Sequence, residues 1–200
     1  MPCSIAAMER TEGMEKISFY WEWLPLPKAE FNVLAMIADH GGSFCGNYAE
    51  MCRYLNVTTQ DSNRKVLQRA IESLATKGFI TWETSGRTQK LNIIPKEKEV
   101  CLPCEWVRSV IRHDYTSESV AFAQVLKLFM WIVHNKQEVV TNEMIAKDMG
   151  VSVSTVVSAK NVLDREYENI TRRKRSEKIG VDSFRTIGQE LAASAWWNEL

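Results

Sequence analysis

Between Ile145 and Ala159 the chain reads IAKDMGVSVSTVVSA, and three positions in it leave few ways to fold. Ala146 is small, Gly150 stands four residues later, and Val156 stands six beyond that. Two helices cross closely where a small side chain lets them touch, a glycine takes the left-handed turn conformation between them, and an apolar side chain locks the second onto the first. Ile145, Met149, Val151 and Ala159 supply apolar positions around those three. The spacing predicts a helix, a tight turn and a second helix.

The rest of the chain reads as two rounds of one plan. From Leu26, LPKAEFNVLAMIADHGG places Pro27 at a helix start, Phe31, Leu34, Ala35 and Ala38 at helical spacing, and Gly41-Gly42 as the stop. SFCG predicts a short strand, Asn47 a cap for the helix YAEMCRYL, NVTTQ a turn, and DSNRKVLQRAIESLATKG a long amphipathic helix closed by Gly78. FITWET and TQKLNII then read as a hairpin with its tip near Ser85, Gly86 and Arg87. In the second round SESVAFAQVLKLFMWIVHN predicts an apolar helix, EVV a strand, TNEMIAKDM a helix opened by Thr141, and VSTVVSAKNVLDREY another helix. The basic run NITRRKRSEKIGVDSFRTI falls where a second hairpin is expected, and GQELAASAWWNEL reads as a closing helix. Met51, Cys52, Leu55, Asn56 and Val57 correspond in order to Ile145, Ala146, Met149, Gly150 and Val151; Leu67, Ala70 and Leu74 correspond to Val156, Ala159 and Leu163.

With this element order and AKDMGVSVSTV, residues 26 to 190 resemble the winged-helix superfamily of DNA-binding proteins. The tandem arrangement is similar to that of plasmid replication initiators and of replication or regulatory proteins carried by phages and mobile elements. The resemblance implies a mainly α fold with small β-hairpins, organised as two tandem winged helix-turn-helix domains. Its expected limits are an N-terminal extension over 1–25, a first winged-helix domain over 26–97, a connector over 98–115, and a second winged-helix domain with a C-terminal helix over 116–200. It implies double-stranded DNA as the partner, in transcription regulation or replication initiation, with no enzymatic activity and no cofactor.

Helical angle separates residues that face the core from those that face a groove. In the first round Leu67, Ala70, Ile71 and Leu74 form the inward face, so Ser62, Arg64, Lys65, Gln68 and Arg69 point outward. In the second, Ser154, Val157, Ser158, Asn161 and Arg165 are outward, with Lys160 at the edge. Arg87 and Lys90 flank the first hairpin tip, while Arg172, Arg173, Lys174, Arg175 and Lys178 cluster in the expected second wing. Like charges packed that closely repel, and a phosphate backbone relieves the repulsion while releasing counterions. The chain as a whole balances 25 Lys and Arg against 25 Asp and Glu, so a basic surface has to come from such local clusters. That balance also permits the alternative reading, a protein–protein interaction module built on the same folds.

Other chemistries find less support. The five cysteines, Cys3, Cys45, Cys52, Cys101 and Cys104, are an odd number in a chain long enough to need no disulfide staples, which predicts thiols and a cytoplasmic setting. CLPC at Cys101 to Cys104 is half of a zinc site, but Cys45, Cys52, His113 and His134 offer no recognisable second pair; no metal is expected, and PKEKEVCLPCEW reads as a linker docked on apolar surface. No apolar run approaches the roughly 20 residues that cross a bilayer, and MPCSIAAMERTEGMEK lacks a signal peptide's apolar stretch. No phosphate loop or nucleophile elbow is present. Leu191, Ala195, Trp196, Trp197 and Leu200 predict that the closing helix packs on the second domain or makes a homodimer.

Overall fold

The computed structural model describes residues 15–113, 115, 117–135 and 141–177, with side chains as far as Glu166. In chain order its elements are β1 (Lys16–Tyr20), α1 (Lys28–Asp39), β2 (Ser43–Gly46), α2 (Tyr48–Tyr54), α3 (Asp61–Thr76), β3 (Ile80–Ser85), β4 (Thr88–Ile93), β5 (Glu99–Pro103), α4 (Cys104–Arg112), α5 (Phe122–His134), α6 (Asn142–Met149) and α7 (Val153–Glu177), with a 3-10 turn over Trp21–Trp23.

Local chemistry explains most boundaries. Asn47 closes a capping box on α2: its side chain accepts from the backbone of Ala49 and Glu50 while the Glu50 carboxylate accepts from the Asn47 backbone N–H. Thr141 caps α6 by accepting from the Met144 backbone. Gly150 ends α6 at φ 64°, and the Val151 N–H donates to the Ala146 carbonyl, which closes the turn into α7. Ala146, Met149, Val156 and Ala159 are all buried at that crossing. Gly86, at φ 61°, begins the two-residue tip between β3 and β4, whose register pairs Ser85 with Thr88 and Trp82 with Leu91.

Two small antiparallel sheets result. One has the order β2-β4-β3, and the other pairs β1 with β5. In the second, Ile17 lies opposite Leu102 and Phe19 opposite Val100, and all four are buried. Lys16–Tyr20, from the segment read as an N-terminal extension, and Glu99–Pro103, from the segment read as a connector, are therefore partners in one sheet. α4 follows β5 without a break, its first N–H donating to the Glu15 carbonyl, and buries Trp106, Val107 and Val110 against its neighbours. α1 touches both α3 and α5, and α4 touches both α5 and α7. The buried side chains form one continuous core from Ile17 to Leu163.

The chain is accordingly a mixed α/β fold with two small sheets around a shared core, not two tandem winged helix-turn-helix domains. The expected second wing is the main departure: residues 172 to 175 lie within α7, which continues to Glu177. From Asp164 to Glu177 the sequence has no Gly or Pro and is rich in Arg, Lys and Glu, all good helix formers, so this part of the expected wing continues the helix; the rest of it, 178–187, lies outside the described residues. The side chains of Arg172, Arg173, Lys174 and Arg175, the whole of Lys178, the EVV segment (138–140) and the expected closing helix (188–200) lie outside the described residues.

A buried lysine bridges the two halves. Lys127, in the middle of the apolar α5 and 3 % exposed, donates to the Leu26 carbonyl at 2.6 Å and lies over the Phe31 ring. Burial brings its pKa down to about 8, against the opposing pull of Glu30. An unfolded lysine titrates near 10.4. Between those values the unfolded chain binds more protons, so this residue makes stability rise with pH from about 8 to about 10. Urea unfolding across that range is expected to show a smaller rise in Lys127→Met than in the parent chain, since the lowered pKa of Lys160 contributes in the same direction. Because the core is shared, Phe19→Ala is expected to cost about 3 to 5 kcal/mol and to shift a single cooperative unfolding transition monitored by tryptophan fluorescence and circular dichroism together. Two separated transitions would show that the halves fold independently.

Candidate nucleic-acid interface

α3 is held from one side only. Leu67, Ala70, Ile71 and Leu74 are buried against α1, α2 and β3, and Glu30 of α1 anchors the end of the helix by accepting from Ser73 at 2.9 Å and from Lys77 at 2.7 Å. The opposite face exposes Ser62, Arg64, Lys65, Gln68 and Arg69. Gln68 donates to Glu72 along the helix, and the Arg64 guanidinium lies over the Tyr48 ring at 5.4 Å. Lys65 and Arg69 have no ion-pair partner among the described residues and stand one turn apart. Val66, 48 % exposed, flanks that face.

The hairpin continues this surface. Arg87 is exposed at the tip, and Lys90 on β4 forms a loose pair with Glu83 at 3.7 Å, too exposed to matter for stability. Between the tip and the start of α3 lies a cleft of about 480 Å³ lined by Asn47, Tyr48, Cys52, Thr59, Asp61, Arg64, Gly86, Arg87 and Gln89 among others. Burial raises the Tyr48 phenol, partly offset by Arg64, and raises the Cys52 thiol, so both stay protonated at neutral pH.

The α7 face is different. Ser154, Val157 and Asn161 are exposed, but Ser158 is half-buried and shares a hydrogen bond with Ser119. Arg165 donates to Glu118 at 2.6 Å. Lys160, expected at the edge of the outward face, is only 8 % exposed, and burial lowers its pKa against the pull of Asp164. It directly follows Ala159 on the buried side of the helix, where a neighbouring element covers it. Val153 and Val157 are exposed instead, 38 % and 42 %.

Of the residues expected to meet DNA, the structure thus gathers Ser62, Arg64, Lys65, Gln68, Arg69, Arg87 and Lys90 around one helix and one hairpin. Tyr48, Val66 and Gln89 belong to the same surface and were not legible in the sequence. The pairing of Asn47 as a cap with the strand register could have pointed to Tyr48 and Gln89, because both follow from where the hairpin returns. Among the described residues no group of His, Cys, Asp and Glu is placed to hold a metal, and Cys101 and Cys104 differ in environment, one exposed and one buried. No helix among them is long and apolar enough to cross a membrane. No family model, curated protein or solved structure matches the chain.

The capping box shapes the cleft floor, since it orients Asn47 and Tyr48. Asn47→Ala is expected to cost about 1 kcal/mol in chemical denaturation, with the loss confined to the free energy and not the slope of the transition.

Proposed function

We propose that this chain binds double-stranded DNA, with α3 in the major groove and the β3–β4 hairpin on the backbone, and that it acts by binding and not by catalysis. The observation that carries this reading is the outward face of α3, where Lys65 and Arg69 stand without ion-pair partners beside Ser62, Gln68 and Val66. A helix of 16 residues is about 24 Å long, and the major groove of about 12 Å width admits it. Lys and Arg reach guanine edges, Gln reads adenine, and an apolar side chain fits the thymine methyl. The order α1–β2–α2–α3–β3–β4 with sheet order β2-β4-β3 also resembles a single winged-helix unit. Transcription regulation or replication initiation in the cytoplasm, for a phage or plasmid-type element, is the role this reading favours.

A second reading applies to α7. Its exposed Val153 and Val157, with Lys160 buried and Arg165 paired, suit contact with a protein better than contact with phosphates.

Fluorescence anisotropy with a selected duplex and a scrambled one, at several salt concentrations, tests the DNA reading. Arg69→Ala is expected to lose about 1 to 3 kcal/mol on the selected site and less on the scrambled one. Arg87→Ala is expected to weaken both alike and to flatten the salt dependence by about 0.9. Absence of duplex binding by the parent chain at low salt would remove the DNA reading and leave the protein-interaction reading in its place.

A further inference from the structure

Gln89 is the least expected residue in the cleft between the hairpin and α3. It lies on β4, is 3 % exposed, and has a fixed orientation. Its Oε1 accepts from the Trp82 indole N–H at 2.8 Å and from the Thr84 hydroxyl at 3.0 Å. An indole nitrogen only donates, so the atom facing it has to be the amide oxygen. The amide nitrogen is therefore turned away from those two groups, and it has no acceptor among the described residues. That nitrogen is not sealed from solvent, so its two donors open toward the cleft and can exchange water for a better acceptor. Gln89 lines the cleft, so the acceptor can arrive there.

The other polar groups around that space indicate what kind of acceptor fits. Arg64 and Arg87 both line it, and Asp61 is the one carboxylate among the lining residues, which leaves a net positive charge. Arg64 is braced by the Tyr48 ring, so its guanidinium has a preferred position before anything binds. Two guanidiniums and a neutral amide donor form a set that hydrogen-bonds to an anion with several oxygens. A cleft of about 480 Å³ exceeds what a bare phosphate needs and lies within the range of small-ligand sites.

We propose that this cleft is a phosphate-ester site, in which the Gln89 amide N–H groups and the Arg64 and Arg87 guanidiniums hold the phosphate of a nucleotide. It rests on the DNA-binding reading only for one source of that phosphate, a nucleotide of the bound strand; the other source is a free mononucleotide. Within either source Gln89 is a positioning donor that places the phosphate between helix and hairpin, and the arginines supply the charge.

The test uses the full chain labelled with ¹⁵N, following the Gln89 side-chain NH₂ signals during titration with inorganic phosphate, with 5′-adenosine monophosphate, and with duplex DNA. Saturable movement with either small probe identifies a free phosphate ester as the ligand, and movement with duplex alone identifies the strand backbone. Gln89→Glu retains an oxygen for Trp82 and Thr84 but replaces the donor by a carboxylate, and it is expected to weaken the responsive ligand by at least about tenfold. Arg87→Ala, at an exposed hairpin tip, gives the same direction without disturbing the core and serves if Gln89→Glu does not fold. Gln89 signals that stay unmoved by all three ligands overturn the site even where duplex binding is intact. Movement with the mononucleotide in a chain that binds no duplex upholds the site while the DNA-binding reading falls.

Discussion

The pairing of β1 with β5 is the constraint on which the rest of the molecule depends. It joins the first described strand to a strand that follows the entire β2-β4-β3 unit, and it buries Ile17, Phe19, Val100 and Leu102. Ordering so long a loop has an entropic cost that local contacts cannot offset. What offsets it is the aromatic and aliphatic surface delivered to the centre: Phe19 packs on Trp23 and Phe31, and Trp106 on Phe129, with ring centres 5 to 7 Å apart. Because α4 starts where β5 ends, the same pairing aims α4 between the two halves. Arg108 then reaches Asp39 at the end of α1, while Ser109 and His113 meet Glu166 on α7.

That central packing distinguishes the two exposed helices. α3 is fixed from behind by apolar contacts and by the Glu30–Lys77 pair, so none of the cations on its outer face is needed to hold it. Its charges stay available for a partner. α7 packs into the core as far as Glu166, and several of its polar residues there are taken up in doing so: Arg165 by Glu118, Ser158 by Ser119, Glu166 by His113 and Ser109. Two helices that occupy equivalent places in the repeated sequence plan therefore present different chemistry over their described side chains: α3 exposes Lys65 and Arg69, and α7 exposes Val153 and Val157 beside Ser154 and Asn161. The difference arises from tertiary neighbours and not from the helices' own composition alone.

A chain with equal numbers of acidic and basic residues can still leave cations locally unpaired, and this one pairs its charges unequally among the described residues. Around α3 and the hairpin, Lys65, Arg69 and Arg87 are unpaired among the described residues, whereas several acids elsewhere are spent on structural contacts: Glu30 on Lys77, Asp39 on Arg108 and Tyr54, Glu118 on Arg165. Net charge is blind to that distribution. The cleft beside the hairpin adds a second level, since Gln89 shows that polar chemistry at this surface extends to a nearly buried side chain.

Features set by neighbours a few residues away were legible in the residue order. The Asn47 and Thr141 caps, the left-handed Gly150, the turn at Gly86 and the buried face of α3 each follow from side-chain chemistry within one turn or one strand pair. Features set by partners far along the chain were not. ISFY and VCL alternate as strands do, yet each reads equally well as a segment docked on apolar surface until the other is known, because an isolated strand has no partner for its backbone groups. The basic run after Leu163 carries charge suited to a wing, but charge does not bend a chain; as far as Glu177, where it has no glycine or proline, it continues as helix. Lys160 and Gln89 make the same point for single side chains. Helical or strand phase places each near an edge, and which side of that edge becomes buried depends on what the rest of the fold packs against it.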